Sequence, residues 1–151
     1  MQIQRIKDVT KFYNGYAFKS KNYTDAGEYI VRIGDIKQRG IDLSNAKRVD
    51  ILKEKKDLSN YQIKQNSILL AMSGATTGKV SLYNLNQKAY LNQRVGMLVC
   101  ENNILPKYLY YFLSNYSEKF LSSAIGAAVQ NLSKSQIENT EIPVPPLQEQ
   151  E

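Results

Sequence analysis

Residues 67–83 read Ser67-Ile-Leu-Leu-Ala-Met-Ser-Gly-Ala-Thr-Thr-Gly-Lys-Val-Ser-Leu-Tyr83, and this stretch decides the fold. The apolar run up to Met72 predicts a buried strand, and the pattern after Lys79 predicts a second one. The loop between them consists of small residues and two glycines, which predicts a tight hairpin. Strand patterns precede this hairpin and helical patterns follow it.

The segments before the hairpin carry weaker signals. Alternation over residues 29–36 predicts a strand with at least one buried face, and Asn14-Gly15 predicts a turn. Residues 44–66 carry charges of both signs, which predicts an exposed short helix or loop. None of these segments repeats another, so the chain is not a repeat protein.

The segments after the hairpin carry clearer signals for strands and helices. Residues 89–92 lead into an apolar strand that ends at Cys100. Pro106 opens a long amphipathic helix, for which Gly126 is the expected stop. Ser133 and Gln136 have the spacing of a capping box, which predicts a short helix to about residue 139. The prolines of residues 142–147 then predict an extended segment.

The composition fits one basic domain. The chain has 151 residues, of which 42% are hydrophobic, and a formal net charge of +6. Residues 1–79 carry 15 Lys and Arg against 8 Asp and Glu, whereas residues 80–151 carry 5 against 6. An anionic partner is therefore expected at the first half of the chain.

The composition also excludes several kinds of chemistry. The chain has no His, which removes His-based acid–base catalysis, catalytic triads and His-ligated metals. The single Cys100 cannot form an internal disulfide or a thiolate zinc site, and its apolar run predicts a buried strand thiol. No run is long enough to span a membrane and no signal peptide is present, so we expect a cytoplasmic protein without a membrane partner.

Two catalytic motifs fail on inspection. The loop from Ser73 resembles a phosphate-binding P-loop, but Gly74 and Gly78 are separated by three residues and Val80 follows Lys79. The loop is either a plain tight hairpin or a place where a nucleic-acid backbone approaches closely, and both interpretations stay open. The segment Val144-Pro-Pro-Leu147 lacks the Asn or Asp and the aromatic residue of an amino-methyltransferase motif.

The acidic residues near Asp35 are the candidates for a metal-dependent nuclease site. Asp35 is followed by Lys37 and lies near Asp25 and Glu28 in sequence. Such triplets arise by chance in charged chains, so solvated strand ends are the better interpretation.

Basic residues interleaved with aromatic residues favour a nucleic-acid surface in the first half of the chain. Arginine is the residue suited to bidentate contacts with guanine, so Arg32, Arg39 and Arg94 are the better candidates for reading bases. Lysines of residues 53–56 are expected to contact phosphate or only water. The aromatic residues of the helix from Pro106 are expected to pack in the core.

Taken in order, the segments resemble a target recognition domain from the specificity (S) subunit of Type I restriction–modification systems. The segments that carry this resemblance are Asn14-Gly-Tyr-Ala-Phe-Lys-Ser-Lys-Asn-Tyr23, Tyr29-Ile-Val-Arg-Ile-Gly-Asp-Ile36, Ile68-Leu-Leu-Ala-Met-Ser-Gly-Ala-Thr-Thr-Gly-Lys-Val80, Tyr90-Leu-Asn-Gln-Arg-Val95, Pro106-Lys-Tyr-Leu-Tyr-Tyr-Phe-Leu113, Gly126-Ala-Ala-Val-Gln-Asn-Leu-Ser-Lys-Ser-Gln-Ile137 and Ile142-Pro-Val-Pro-Pro-Leu-Gln-Glu-Gln150.

The resemblance implies a non-catalytic reader of one half of a split double-stranded DNA target. It also implies an α+β fold of the DNA-methylase specificity domain type, in which twisted mixed or antiparallel β-sheets are combined with a few helices. It implies no cofactor. It also implies a methyltransferase (modification) subunit as partner and, through it, a restriction subunit. Residues 1–147 are then the recognition domain, and residues 148–151 are the truncated start of a spacer helix. Pairing with a second half-subunit is expected where the parent protein carries that helix.

The residues and the resemblance together point to a set of polar and basic side chains as DNA contacts. These are Lys19, Arg32, Lys37, Arg39, Thr76, Thr77, Lys79, Gln93, Arg94, Gln130, Asn131 and Lys134. Residues 126–131 are equally well interpreted as a structural connection. Two other functions stay open: an assembly domain for a DNA methyltransferase and, with less support, a magnesium-dependent nuclease.

Overall fold

The computed structural model describes residues 2–124 and 131–151. Within these ranges the chain forms eleven strands and three α-helices. The strands are β1 (Gln2–Arg5), β2 (Thr10–Tyr13), β3 (Tyr23–Val31), β4 (Ile36–Lys37), β5 (Gly40–Ile41), β6 (Lys47–Val49), β7 (Ile68–Ala71), β8 (Val80–Leu82), β9 (Ala89–Leu91), β10 (Val95–Cys100) and β11 (Glu141–Val144). The helices are α1 (Ile6–Val9), α2 (Pro106–Ala124) and α3 (Lys134–Glu138).

The strands form four small sheets. The largest has the order β2-β10-β7-β8 and is antiparallel throughout. A three-stranded sheet has the order β6-β3-β9, in which β3 and β9 are parallel. Two-stranded ribbons pair β1 with β11 and β4 with β5. Mixed sheets with few helices confirm the prediction of an α+β fold.

The predicted hairpin forms the centre of the molecule. Strands β7 and β8 pair antiparallel, with Ile68 opposite Leu82 and Leu70 opposite Val80. All four residues of β7 are buried because β7 lies between β10 and β8 and has a hydrophobic cluster on each face. The strand therefore reads as a continuous apolar run.

Helix α2 covers one face of this sheet. Leu109, Leu113 and Phe120 recur at helical spacing and are buried in the same cluster as Ile68, and Phe112 and Tyr116 pack against it. The prediction of core packing is confirmed for the aromatic residues of this face, but it was wrong for Tyr111, which is 63% exposed. The expected stop at Gly126 lies outside the described residues. In α3, the Ser133 hydroxyl accepts from the Gln136 backbone N–H, and the Gln136 side chain accepts from the Ser133 N–H, so the predicted capping box is confirmed.

Three expectations about the first half of the chain were wrong. The strand predicted over residues 29–36 starts earlier and ends at Val31, because the Asp35 carboxylate accepts from the Arg32 N–H and closes a 3₁₀ turn over Ile33–Asp35. Residues 44–66 are not simply exposed, since β6 lies within them and Val49, Leu58 and Ile63 are buried. Asn14-Gly15 makes no hairpin turn; this segment passes alongside the end of β9.

None of the helices in the described ranges has the length and hydropathy needed to cross a membrane.

Candidate nucleic-acid interface

The loop that joins β7 to β8, residues 72–79, is called the hairpin loop below. It is held by its own backbone: the Gly78 N–H donates to the Ala71 carbonyl over 2.9 Å, and the Lys79 N–H donates to the Thr76 carbonyl over 3.0 Å. Gly74 and Gly78 have φ angles of +90° and +91°, which only glycine adopts without strain. The loop returns into a strand, so it lacks the helix N-terminus that a P-loop requires.

The two threonines of the hairpin loop have different surroundings. Thr76 is exposed. Thr77 is buried, and its hydroxyl donates to the Gly74 carbonyl over 2.5 Å. Thr77 therefore braces the loop from inside, which does not suit it for the DNA contact expected of it. Of the two side chains, only Thr76 is presented to a partner.

A cavity of about 440 Å³ brings together three predicted DNA contacts that are about 60 residues apart in sequence. We call it the arginine cavity. Its lining consists of Ala17, Phe18, Tyr23, Arg32, Ile33, Gly34, Asn92, Gln93 and Arg94. The parallel pairing of β3 with β9 creates it, because the Asn92 N–H donates to the Val31 carbonyl and so holds residues 92–94 against the end of β3.

Arg32 is held firmly at the edge of this cavity. The Asp35 carboxylate accepts from the Arg32 backbone N–H over 2.9 Å, and its Oδ2 lies 4.0 Å from the Arg32 Nε. Burial raises the pKa of the Asp35 carboxyl, and the hydrogen bond from the Arg32 N–H and the nearby Arg32 charge act against that rise. Arg94 is exposed and makes no side-chain hydrogen bond or ion pair with the residues that the structure describes.

A second cavity, of about 550 Å³, lies along α2 and is called the helix cavity. Its lining includes Arg39 and Lys79 on one side and Tyr111, Ser114 and Glu118 of α2 on the other. Two hydrogen bonds fix its walls: the Tyr110 hydroxyl donates to the Gln38 carbonyl, and the Ser117 hydroxyl donates to the Gly78 carbonyl over 2.6 Å. The expected basic surface thus has two parts, one on each side of the hairpin loop.

The hairpin loop connects these parts to residues beyond α2. Ser73 pairs with Asn131, and the Leu132 N–H donates to the Met72 carbonyl over 2.7 Å. On the other side, the Met72 N–H donates to the Arg94 carbonyl over 2.9 Å. Asn131 and the arginine cavity therefore lie beside the same end of the hairpin loop.

The remaining predicted contacts are more scattered. Lys134 is exposed, and its Nζ lies 5.8 Å from the centre of the Phe12 ring. Lys19 is exposed just before the 3₁₀ turn Ser20–Asn22, and Lys37 is exposed on β4. Neither Lys19 nor Lys37 is among the described residues that line the two cavities, although each is next in sequence to a residue that does. Gln130 lies outside the described residues.

Most aromatic residues of the first half serve packing. Tyr16 contacts Phe18 and Tyr61, and Phe18 contacts Tyr90, which forms a cluster with Val49 and Leu58. Lys56 lies over the Tyr16 ring, with 5.0 Å between Nζ and the ring centre. The interleaving of basic and aromatic residues therefore reflects stacking within the domain at least in part.

Sequence reasoning missed the role of Asp35, which was considered only as a metal ligand. The signal was its spacing, because a carboxylate three residues after Arg32 can cap the turn that Arg32 begins. No group of three or more His, Cys, Asp or Glu side chains within residues 2–124 and 131–151 is arranged to hold a metal ion. Burial, with a smaller contribution from Glu101, raises the pKa of Cys100 to about 11, so its thiol is protonated and a poor nucleophile at neutral pH.

Comparison with known proteins gives a consistent result. The chain matches the family described as Type I restriction modification DNA specificity domain over residues 1–151. It is 26% identical over 157 aligned residues to a protein named as the MjaX type I restriction enzyme specificity subunit of Methanocaldococcus jannaschii, covering 99% of this chain and 36% of that protein. It is 24% identical over 148 residues to the EcoBI specificity subunit of Escherichia coli, covering 96% of this chain and 29% of that protein. The chain thus spans about a third of the length of these relatives.

Solved structures share the fold. The HsdS subunit from Thermoanaerobacter tengcongensis superposes with a TM-score of 0.76 at 16% identity, over 99% of this chain and 34% of that one. A chain from a type I R-M system complex superposes with a TM-score of 0.79, also at 16% identity, over 99% of this chain and 35% of that one. The DNA-methylase specificity domain type of fold expected from the sequence is confirmed. The chain belongs to the Type I restriction modification DNA specificity domain family.

Proposed function

We propose that this chain binds double-stranded DNA and reads one half-site of a bipartite target, as the specificity subunit or half-subunit of a Type I restriction–modification enzyme. The match to the specificity domain family over the whole chain carries the proposal. The placement of predicted contacts around the hairpin loop supports it, because guanidinium and amide groups suited to base edges lie beside residues suited to phosphates.

The domain performs no chemistry in this proposal. Members of a specificity family supply recognition, and catalysis comes from a methyltransferase subunit and, through it, a restriction subunit. These partners, the cytoplasmic location and pairing with a second half-subunit are part of the proposal, and the chain spans about a third of the length of the relatives it matches.

Selection from a random duplex library at low salt tests the function. We expect one short motif to be enriched, and the affinity for it to fall steeply with salt, because phosphate contacts release counterions. Modest affinity is expected, since one half-site supplies only part of the interface. A library without any enriched motif, together with binding that is insensitive to salt, would contradict the proposal.

A pair of charge reversals adds a matched control. Lys79→Glu changes the hairpin loop beside the helix cavity, and we expect it to weaken binding to every duplex by about tenfold or more. Lys7→Glu makes the same change of net charge on the exposed side of α1, away from both cavities, and should leave affinity nearly unchanged. Equal losses for the two variants would indicate a general charge effect and no binding surface at the hairpin loop.

A further inference from the structure

The two arginines of the arginine cavity are held in different ways. One edge of the Arg32 guanidinium faces the protein: Nη2 donates to the Asn45 carbonyl over 3.4 Å, and Nε is buried 4.0 Å from the Asp35 carboxylate with no hydrogen-bond partner among the described residues. Its side chain is 39% exposed, so only part of the guanidinium faces solvent. Arg94 is exposed and unengaged within the described residues.

This difference bears on what each arginine can recognise. Bidentate recognition of guanine uses two adjacent N–H donors of one guanidinium, both directed at the base edge. The Nη2 of Arg32 donates to the protein and its Nε is buried, so this edge of the guanidinium is not open to a base, whereas Arg94 is exposed. A phosphate oxygen needs only one donor and a positive charge, and Arg32 offers both.

The charge of the cavity also suits a phosphate. Its lining residues include Arg32, Arg94, Asn92, Gln93 and Tyr23, and none of them is Asp or Glu. The Asp35 carboxylate lies behind Arg32, with its side chain only 5% exposed, and does not line the cavity. It therefore fixes Arg32 without closing the cavity to an anion.

We infer that Arg32, positioned by the buried Asp35, binds a backbone phosphate of the DNA, and that Arg94 is the arginine of this cavity that reads a base edge. The inference rests on the proposed function and assigns roles within it. It differs from the interpretation of the sequence alone, which placed Arg32 among the base readers. Asp35 acts as a positioning residue, because its carboxylate sets where the guanidinium stands.

Conservative substitutions separate the two roles. Arg32→Lys keeps a positive charge but loses the planar group, so a phosphate contact should survive with a loss of about threefold and an unchanged DNA motif. Arg32→Ala should weaken binding about tenfold to all sequences and make the slope of log K against log salt shallower by about 0.9. Arg94→Ala should relax the preference at one position of the motif by about tenfold or more.

Asp35→Asn tests the positioning role. Asparagine has the same shape and its carbonyl can still accept from the Arg32 N–H, so the turn should persist; thermal unfolding checks this. We expect a fall in affinity close to that of Arg32→Ala, and no further fall in the double variant Arg32→Ala with Asp35→Asn. Arg5→Ala is the matched control, since this exposed arginine on β1 borders neither cavity.

The outcomes are distinguishable. A changed motif for Arg32→Lys, with an unaltered salt slope for Arg32→Ala, would make Arg32 a base reader and overturn the inference. Additive losses from Arg32→Ala and Asp35→Asn would show that Asp35 does not act through Arg32. If the wild-type chain selects a motif but the variants do not show the expected changes in affinity, motif and salt slope, only this inference is contradicted. If the wild-type chain binds no duplex, the proposed function itself is contradicted.

Discussion

Gly15 lies where the chain passes the end of β9. The backbone of residues 92–95 comes so close to it that no side chain fits. An added Cβ would stand 1.7 Å from the Asn92 carbonyl oxygen and 3.0 Å from the Val95 carbonyl oxygen. Both atoms are backbone atoms of the turn that carries Gln93 and Arg94, so neither can move without shifting that turn. Glycine is therefore required at position 15, but the reason is packing between segments distant in sequence and not the turn that Asn14-Gly15 predicts.

We predict that Gly15→Ala lowers the free energy of unfolding by at least about 2 kcal/mol, because the backbone has to separate to admit the methyl group. Gly34→Ala is the control: an added Cβ there meets nothing within 4 Å, so the change should stay within about 0.5 kcal/mol. Urea unfolding measures both values. Similar stabilities for the two variants would show that the backbone at Gly15 does not lie in close contact with the turn of residues 92–95.

At the scale of elements, the hairpin loop combines an internal brace with an exposed tip. The Thr77 hydroxyl supports the loop through the Gly74 carbonyl, and the Ser117 hydroxyl of α2 supports it through the Gly78 carbonyl. A rigid loop loses little conformational entropy on binding, which makes such bracing useful in a recognition surface.

We predict opposite effects for the two neighbouring threonines of this loop. Thr77→Val keeps the shape but removes the hydroxyl, and should lower the free energy of unfolding by about 1 kcal/mol. Thr76→Val should leave stability within about 0.5 kcal/mol and weaken DNA binding, since Thr76 is exposed at the tip. Thermal unfolding and duplex titration, run on both variants, check the pair. If only Thr76→Val lost stability, then Thr76 and not Thr77 would be the residue that braces the loop.

Local elements were predictable from the sequence because their signals are local. The β7–β8 hairpin, the start of α2 at Pro106 and the Ser133 capping box each depend on residues close in sequence. The end of β3 was missed because a single hydrogen bond, from the Arg32 backbone N–H to the Asp35 carboxylate, ends the strand.

At the scale of the whole molecule, the pairings that create the candidate site are non-local. The sequence pattern shows neither that β9 runs parallel to β3 nor that β1 pairs with β11 across almost the full chain. Arg32 and Arg94 come together only through the first of these pairings. The choice of candidate contacts from residue type stays a prediction, and the sequence did not show how these residues divide between the arginine cavity and the helix cavity.

The last residues of the chain are tied into the fold through Gln150. Its side chain is buried, and it accepts from the Leu105 N–H over 2.8 Å while donating to the Asn103 and Pro145 carbonyls over 3.0 Å and 2.9 Å. These bonds join the segment after β11 to the turn that precedes α2. Together with the pairing of β1 and β11, they hold the two ends of the described chain against its helical part.

We predict that Gln150→Ala lowers the free energy of unfolding by about 2 kcal/mol, because it leaves the half-buried Leu105 N–H without its acceptor and removes the buried side chain of Gln150. For a domain of this size the melting temperature should fall by about 5 °C. Gln148→Ala removes the same side chain from an exposed position two residues earlier and should have little effect. Both effects are measured by thermal unfolding followed by circular dichroism. If the two variants melt together, the end of the chain does not contribute to the stability of the domain, and its folding does not extend to residue 150.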